Sequence, residues 1–174
     1  GLYVMPLCWP SAEGHCTFGE SGHATCPGWW NSKTKQRVAH NDNAVGKAPI
    51  IGQWETKASN EIKQAWAWWN KYPEANIGIN LHLSKLVLIA PDSPKWLEIF
   101  EEERGLPETA TVQSGGGDGH RHYYYRRPED CPEWRINRSG EYDIQSAGNA
   151  VAAGSLHRSG RRYESLGGFQ WADV

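Results

Sequence analysis

The chain has 174 residues, of which 39% are hydrophobic and 22% charged, and a formal net charge of -2. That length is enough for one domain with a true core. The near-neutral charge excludes a global basic field that would draw in nucleic acid, and no apolar run approaches the roughly 20 residues of a membrane-spanning helix. No signal-peptide pattern opens the chain. No internal repeat or low-complexity linker divides it, so the expectation is a single domain over residues 1–174, cytoplasmic and without a membrane partner.

Residues 1–51 are rich in Gly, Pro, Asn and Ser and read as loop with short strands. Cys8, Cys16, His23 and Cys26 lie here. They are candidate structural zinc ligands, although their spacing matches no standard finger, and unpaired thiols are the other reading. Lys47, in the turn sequence GKAPI, is a candidate phosphate contact. Residues 58–72 have the clearest helical period, with Ile62, Ala65, Trp66 and Trp69 as the apolar stripe and Trp68 off it. That stripe predicts that Trp66 and Trp69 are buried core. Pro73 ends the helix.

Residues 76–81 and 85–90 read as strands. The second, KLVLIA, is apolar throughout, as in a strand buried on both faces. It delivers Asp92 at its C-terminal end. A second helix is predicted over 94–104, facing Trp96, Leu97 and Phe100 inward, with Gly105 as its stop. Residues 109–126 then read as strand, glycine loop and strand. In the returning strand His120 and His122 share one face and Arg121 takes the other. Residues 128–140 look like a polar connection. Residues 141–146 alternate, placing Tyr142 and Ile144 on one face and Asp143 on the other. A small-residue strand, a turn and a final strand complete the chain.

Charge is distributed unevenly. Between Arg121 and Arg162 there are eight arginines against five acids, and arginine suits bidentate phosphate contacts. Two strand-borne carboxylates, Asp92 and Asp143, accompany a glycine loop, histidines and cations. Phosphoryl transfer needs these parts: oxygens for Mg²⁺ or Mn²⁺, and amides and cations for the triphosphate.

Several segments, taken in order, resemble the bifunctional DNA primase/polymerase N-terminal (prim-pol) domain of the archaeo-eukaryotic primase superfamily. They are MPLCWP with the Cys16/Cys26 region, GKAPI, WAWWNKYPEANIGIN, SGGGDGHRHYYYR and YDIQSAGNAVAAGSLHRSGRRYE. The resemblance implies an α+β fold: a primase-polymerase core with a twisted, mainly antiparallel sheet, flanking helices and an RNA-recognition-like C-terminal lobe. It implies template-directed nucleotidyl transfer, making and extending primers in phage, plasmid or mobile-element replication. The partners would be single-stranded or primed template DNA, dNTPs or NTPs, and a helicase domain in the full-length protein of a bacterial or archaeal host.

By position, Asp92 and Asp143 match metal-binding acids, and His122 matches the histidine that meets the incoming phosphates. Ser155 and His157 match a Ser-x-His that lines the nucleotide pocket. Lys47, Ser114, His120 and Arg121 are further nucleotide contacts. Two positions depart from the pattern. Ala90 stands where a first acid is expected, with Asp118 or Glu141 as substitutes, and Gln145 stands where an arginine often follows the aspartate. The alternative reading is a catalytically weakened nucleotide- or nucleic-acid-binding module of a larger replication protein. A metal-dependent nuclease or zinc-binding interaction domain is a third class.

Overall fold

The structure is a computed structural model, and it describes residues 1–12, 16, 29–31, 35–38, 44–167 and 172–173. In chain order the strands are β1 (Val4–Leu7), β2 (Trp29–Asn31), β3 (Gln36–Val38), β4 (Asn76–Asn80), β5 (Leu86–Pro91), β6 (Ala110–Gln113), β7 (Arg121–Arg126), β8 (Arg135–Arg138), β9 (Tyr142–Gln145), β10 (Asn149–Val151), β11 (Glu164–Ser165) and β12 (Ala172–Asp173). The helices are α1 (Trp54–Lys57), α2 (Ile62–Lys71) and α3 (Pro94–Glu98), the last running on as a π-helical turn over Ile99–Glu103. The fold is α+β with mostly antiparallel pairing, as the resemblance implies.

Among the described residues there are three sheets. One has the order β1-β4-β10, and β2 pairs only with β3. The large one has the order β11-β6-β7-β5-β9-β8, with β12 alongside β7. β5 lies in the middle of the large sheet, and all six of its residues are buried, which is why its sequence is uniformly apolar. On one face Leu86, Leu88 and Tyr124 join Met5, Leu7, Ile79 and Val151 in a single cluster that ties the two larger sheets together. On the other face Val87, Ile89, Tyr123 and Tyr125 pack with Leu97 and Phe100 from the helix. Burial of each such aliphatic side chain stabilises the fold by roughly 1.5–3 kcal/mol.

Ser93 caps α3 by accepting from the Trp96 N–H, and Pro94 occupies the first turn, both favourable at a helix N-terminus. Gly105 takes a φ of +59° at the far end. Tyr142 and Ile144 do face away from Asp143, and the Trp96 and Phe100 rings pack on Tyr142 at centroid distances of 4.6 and 5.4 Å.

Two expectations are corrected. No residue of α2 is fully buried, and Trp66 is 66% and Ile62 76% exposed. The half-buried stripe is Ala65, Trp68, Trp69 and Tyr72, so the helix is rotated relative to the stripe expected from its sequence. Trp68 is on it and Trp66 is off. The Trp69 indole N–H donates to the Ala75 carbonyl at 3.0 Å, tying the helix end to the turn before β4. The second correction is β8, which lies within what reads as a polar connection. All four of its residues are exposed, because it is an edge strand that, among the described residues, pairs only with β9.

Candidate active site

Strand register assembles the site. In the large sheet Ala90 is opposite Asp143, and Asp143 is opposite Asn137. The β5–β7 pairing places Ile89 opposite Tyr123, so the next step sets His122 beside Ala90. His122, Ala90, Asp143 and Asn137 therefore form one row across a single face. Two residues further, Asp92 bridges to His120, and the His120 Nδ1 is 3.5 Å from an Asp92 carboxylate oxygen. This face is the same one that, toward Leu86 and Leu88, packs as core. From Leu88 and Ala90 onward the face lines a cleft of about 1010 Å³, which β10 of the small sheet borders from the other side.

Lys47, Asp92, Ser114, His120, His122, Asp143 and His157 all border that cleft. Residues spread across more than half the sequence therefore meet in one place. Four residues expected at the site sit differently. Ser155 is 3% exposed and is absent from the lining; its hydroxyl accepts from the Ile77 N–H at 3.0 Å, fastening the turn to β4. Arg121 borders the cleft, but its guanidinium is held on the other face by Glu101, which also accepts from the Tyr123 hydroxyl. Asp118 and Glu141, the possible substitute acids, are exposed and absent from the lining. Of the zinc candidates, Cys8 and Cys16 are buried with Val45 in a small cluster, while His23 and Cys26 lie outside the described residues.

The glycine loop is packed rather than open. A Cβ on Gly115 would fall 2.2 Å from the His157 Cβ, and one on Gly119 2.2 Å from the Pro94 nitrogen. The Gln113 side-chain amide donates to the carbonyls of Ser114, Gly117 and His120 at 3.2, 2.7 and 3.0 Å. The Ser114 hydroxyl accepts from the Gly116 N–H. The loop is thus wedged between the turn after β5 and the turn carrying His157, with its carbonyls tied inward. Gln113 is not legible as functional from the sequence; its only signal is an amide side chain bordering consecutive glycines.

The cleft brings together two acids, the cations Lys47, Arg135 and Arg158, and histidines. Burial raises the pKa of Asp143, and the nearby Asp92 charge adds to the rise. Hydrogen bonds donated by the Asn137 and Gln145 amides, and the Lys47 charge, pull it partly back. Burial lowers the pKa of Lys47, with Arg158 acting the same way and Asp92 and Asp143 opposing. His122 falls to about 4, through burial first and then Lys47. His157 also falls to about 4 for the same leading reasons. Both are neutral near pH 7. The His157 Nδ1 accepts from the Ser159 N–H at 3.2 Å, leaving Nε2 as its donor.

This arrangement can hold a polyanion: Lys47, Arg135, Arg158 and the His157 Nε2–H border two carboxylates. Hard oxygen donors suit Mg²⁺ or Mn²⁺. Two mutually repelling carboxylates, one with its pKa raised by burial and then by the other, are the donor chemistry that would hold such a cation. Among the described residues no group of three His, Cys, Asp or Glu gathers at one point.

The model of the family described as bifunctional DNA primase/polymerase, N-terminal, matches residues 1–172. The chain belongs to this family. No curated protein matches it. It is accordingly a DNA primase/polymerase domain, of a nucleotidyltransferase family that acts on DNA template and nucleotides and depends on divalent metal. Among the described residues no helix is long and apolar enough to cross a membrane. Within the prim-pol frame, Ala90 takes on particular interest: its partner across the sheet is Asp143 itself.

Proposed function

We propose that this chain is a single primase/polymerase domain of a phage, plasmid or mobile-element replication protein, joined to a helicase in the full-length protein, in a bacterial or archaeal cytoplasm. The observation that carries the reading is the row His122–Ala90–Asp143 with Asp92 and Lys47 at one cleft. Asp92 and Asp143 would hold Mg²⁺ or Mn²⁺, which would neutralise charge at the reacting phosphate. Lys47 supplies positive charge to the triphosphate. Neutral His157, through Nε2, donates a hydrogen bond to its oxygens together with His120 and Ser114, and His122 packs beside them with its own N–H turned to the Val151 backbone. Arg121 and Ser155 support this wall from behind, through Glu101 and the β4 backbone.

Ala90 leaves the site one carboxylate short. The chain therefore binds nucleotide with metal but extends primers slowly, and faster with Mn²⁺ than with Mg²⁺, which insists on octahedral ligation. The test is extension of a primed template with dNTPs. Asp143→Ala should abolish incorporation, while Ala90→Asp should raise the rate about a hundredfold, the scale of one charge-stabilising contact at a reacting centre, with nucleotide affinity nearly unchanged. If neither the natural chain nor Ala90→Asp extends a primer, yet both bind nucleotide, the non-catalytic binding module replaces the enzyme. Degradation of DNA in the absence of nucleotide would instead indicate a nuclease.

A further inference from the structure

Asn76 plays no part in the chemistry above, yet its contacts join two walls of the cleft. It is 2% exposed and lies at the start of β4, in the small sheet. Its Nδ2 donates to the Gly46 carbonyl at 2.9 Å and to the Leu156 carbonyl at 2.8 Å. Its Oδ1 accepts from the Leu156 N–H at 2.8 Å. Gly46 immediately precedes Lys47, and Leu156 immediately precedes His157. One buried amide thus clasps two turns that are distant in sequence and that carry the lysine and a neutral histidine of the cleft.

The surroundings leave little slack. Gly46 has a φ of +79°, and a Cβ there would come 3.1 Å from the Asn76 Nδ2 and 3.3 Å from the Leu156 carbonyl oxygen. The two turns touch at this point, and the amide fixes their separation. A second amide ties the same lysine turn further along: the Asn149 Nδ2 donates to the Lys47 carbonyl at 3.1 Å. An asparagine suits the position because it offers two donors and an acceptor in one plane. Aspartate would set an oxygen against both carbonyls.

We infer that Asn76 is a positioning residue, which sets the gap between Lys47 and His157 and so the affinity for the nucleotide's phosphates. This rests on reading the cleft as the nucleotide site. The test is a double-mutant cycle read by calorimetric titration of dATP with Mn²⁺, beside thermal unfolding and extension kinetics. Asn76→Ala should raise Kd about tenfold, the scale seen when groups orienting a ligand contact are lost, and should raise KM while leaving kcat within about threefold.

In a background lacking both side chains (Lys47→Ala with His157→Ala), Asn76→Ala should change Kd by less than about twofold, since there is nothing left to position. An unchanged Kd in Asn76→Ala, or the same loss in both backgrounds, overturns the inference while leaving the site assignment intact. If the Lys47→Ala/His157→Ala protein binds dATP normally, the site assignment fails, and the inference with it. Gly46→Ala presses on the same clasp from the opposite side and should give the same pattern if Asn76→Ala does not fold. Failure of both to fold would make the clasp a folding element and also overturn the inference.

Discussion

Residues 114–119 carry no side chain larger than aspartate, yet Gly115, Gly117 and Gly119 are buried, each against atoms of a distant segment. Helix α2 carries three tryptophans, yet Trp66 and Ile62 stand in water. For the helix the sequence suggests the reverse. A side chain's size says how much area it can bury; it does not say whether anything lies opposite. A glycine says that something approaches closely or that the backbone turns unusually, and at Gly119 both hold.

The largest effect expected from this contrast is at Gly119. Its φ is +85°, and the atoms nearest a new Cβ include the backbone of Ser93 and Pro94, next to Asp92. Gly119→Ala combines overpacking with left-handed strain and should destabilise the fold by about 3 kcal/mol or more, read from urea unfolding. A loss under about 1 kcal/mol would show that the loop yields and that its packing is incidental.

An intermediate effect is expected from pH. His122 and His157 have folded pKa values of about 4 against 6.5 unfolded. Between these values the unfolded chain takes up protons that the folded chain refuses, so stability falls as pH drops from 6.5 toward 4. Asp143, with its raised pKa, opposes this near the acid end. Allowing for partial solvent screening, the net loss should be on the order of 2 kcal/mol. Converting both histidines to Gln should flatten the slope. The same slope in that variant would place the titration elsewhere.

The smallest effect is on the helix. Trp66→Ala should change stability by no more than about 0.5 kcal/mol, as for other exposed positions. A loss of several kcal/mol in thermal or urea unfolding would mean that Trp66 is covered after all.

These cases show what the sequence conveys. Strand alternation places Tyr142 and Ile144 opposite Asp143, and Arg121 opposite its flanking histidines, because a period of two is a property of the backbone itself. The uniformly apolar β5 is readable for the same reason. The helical stripe is ambiguous because two neighbouring stripes in a tryptophan-rich helix are both apolar, and only the partner chooses between them. β8 escapes a reading by pattern because an edge strand needs no apolar face. Asp92, His122 and Asp143 stand out through resemblance, since two carboxylates on strands are otherwise commonplace. Asn76 and Gln113 are invisible as site supports. An amide's worth lies in the carbonyls it meets, and those come from other parts of the chain.

The shared face of the large sheet has a further consequence. Leu88, Ala90 and Asp92 alternate with Val87, Ile89 and Pro91, and their neighbours on β7 and β9 keep step. A slip of one residue in either pairing would turn His122 or Asp143 into the tyrosine-lined core and push Tyr123 or Ile144 into the cleft. Burying a carboxylate among aromatics costs several kcal/mol, so the misaligned chain would not persist as a folded competitor. The hydrophobic core therefore acts as a gauge for the reactive groups: a molecule that has folded at all has its acids and histidine on the correct side.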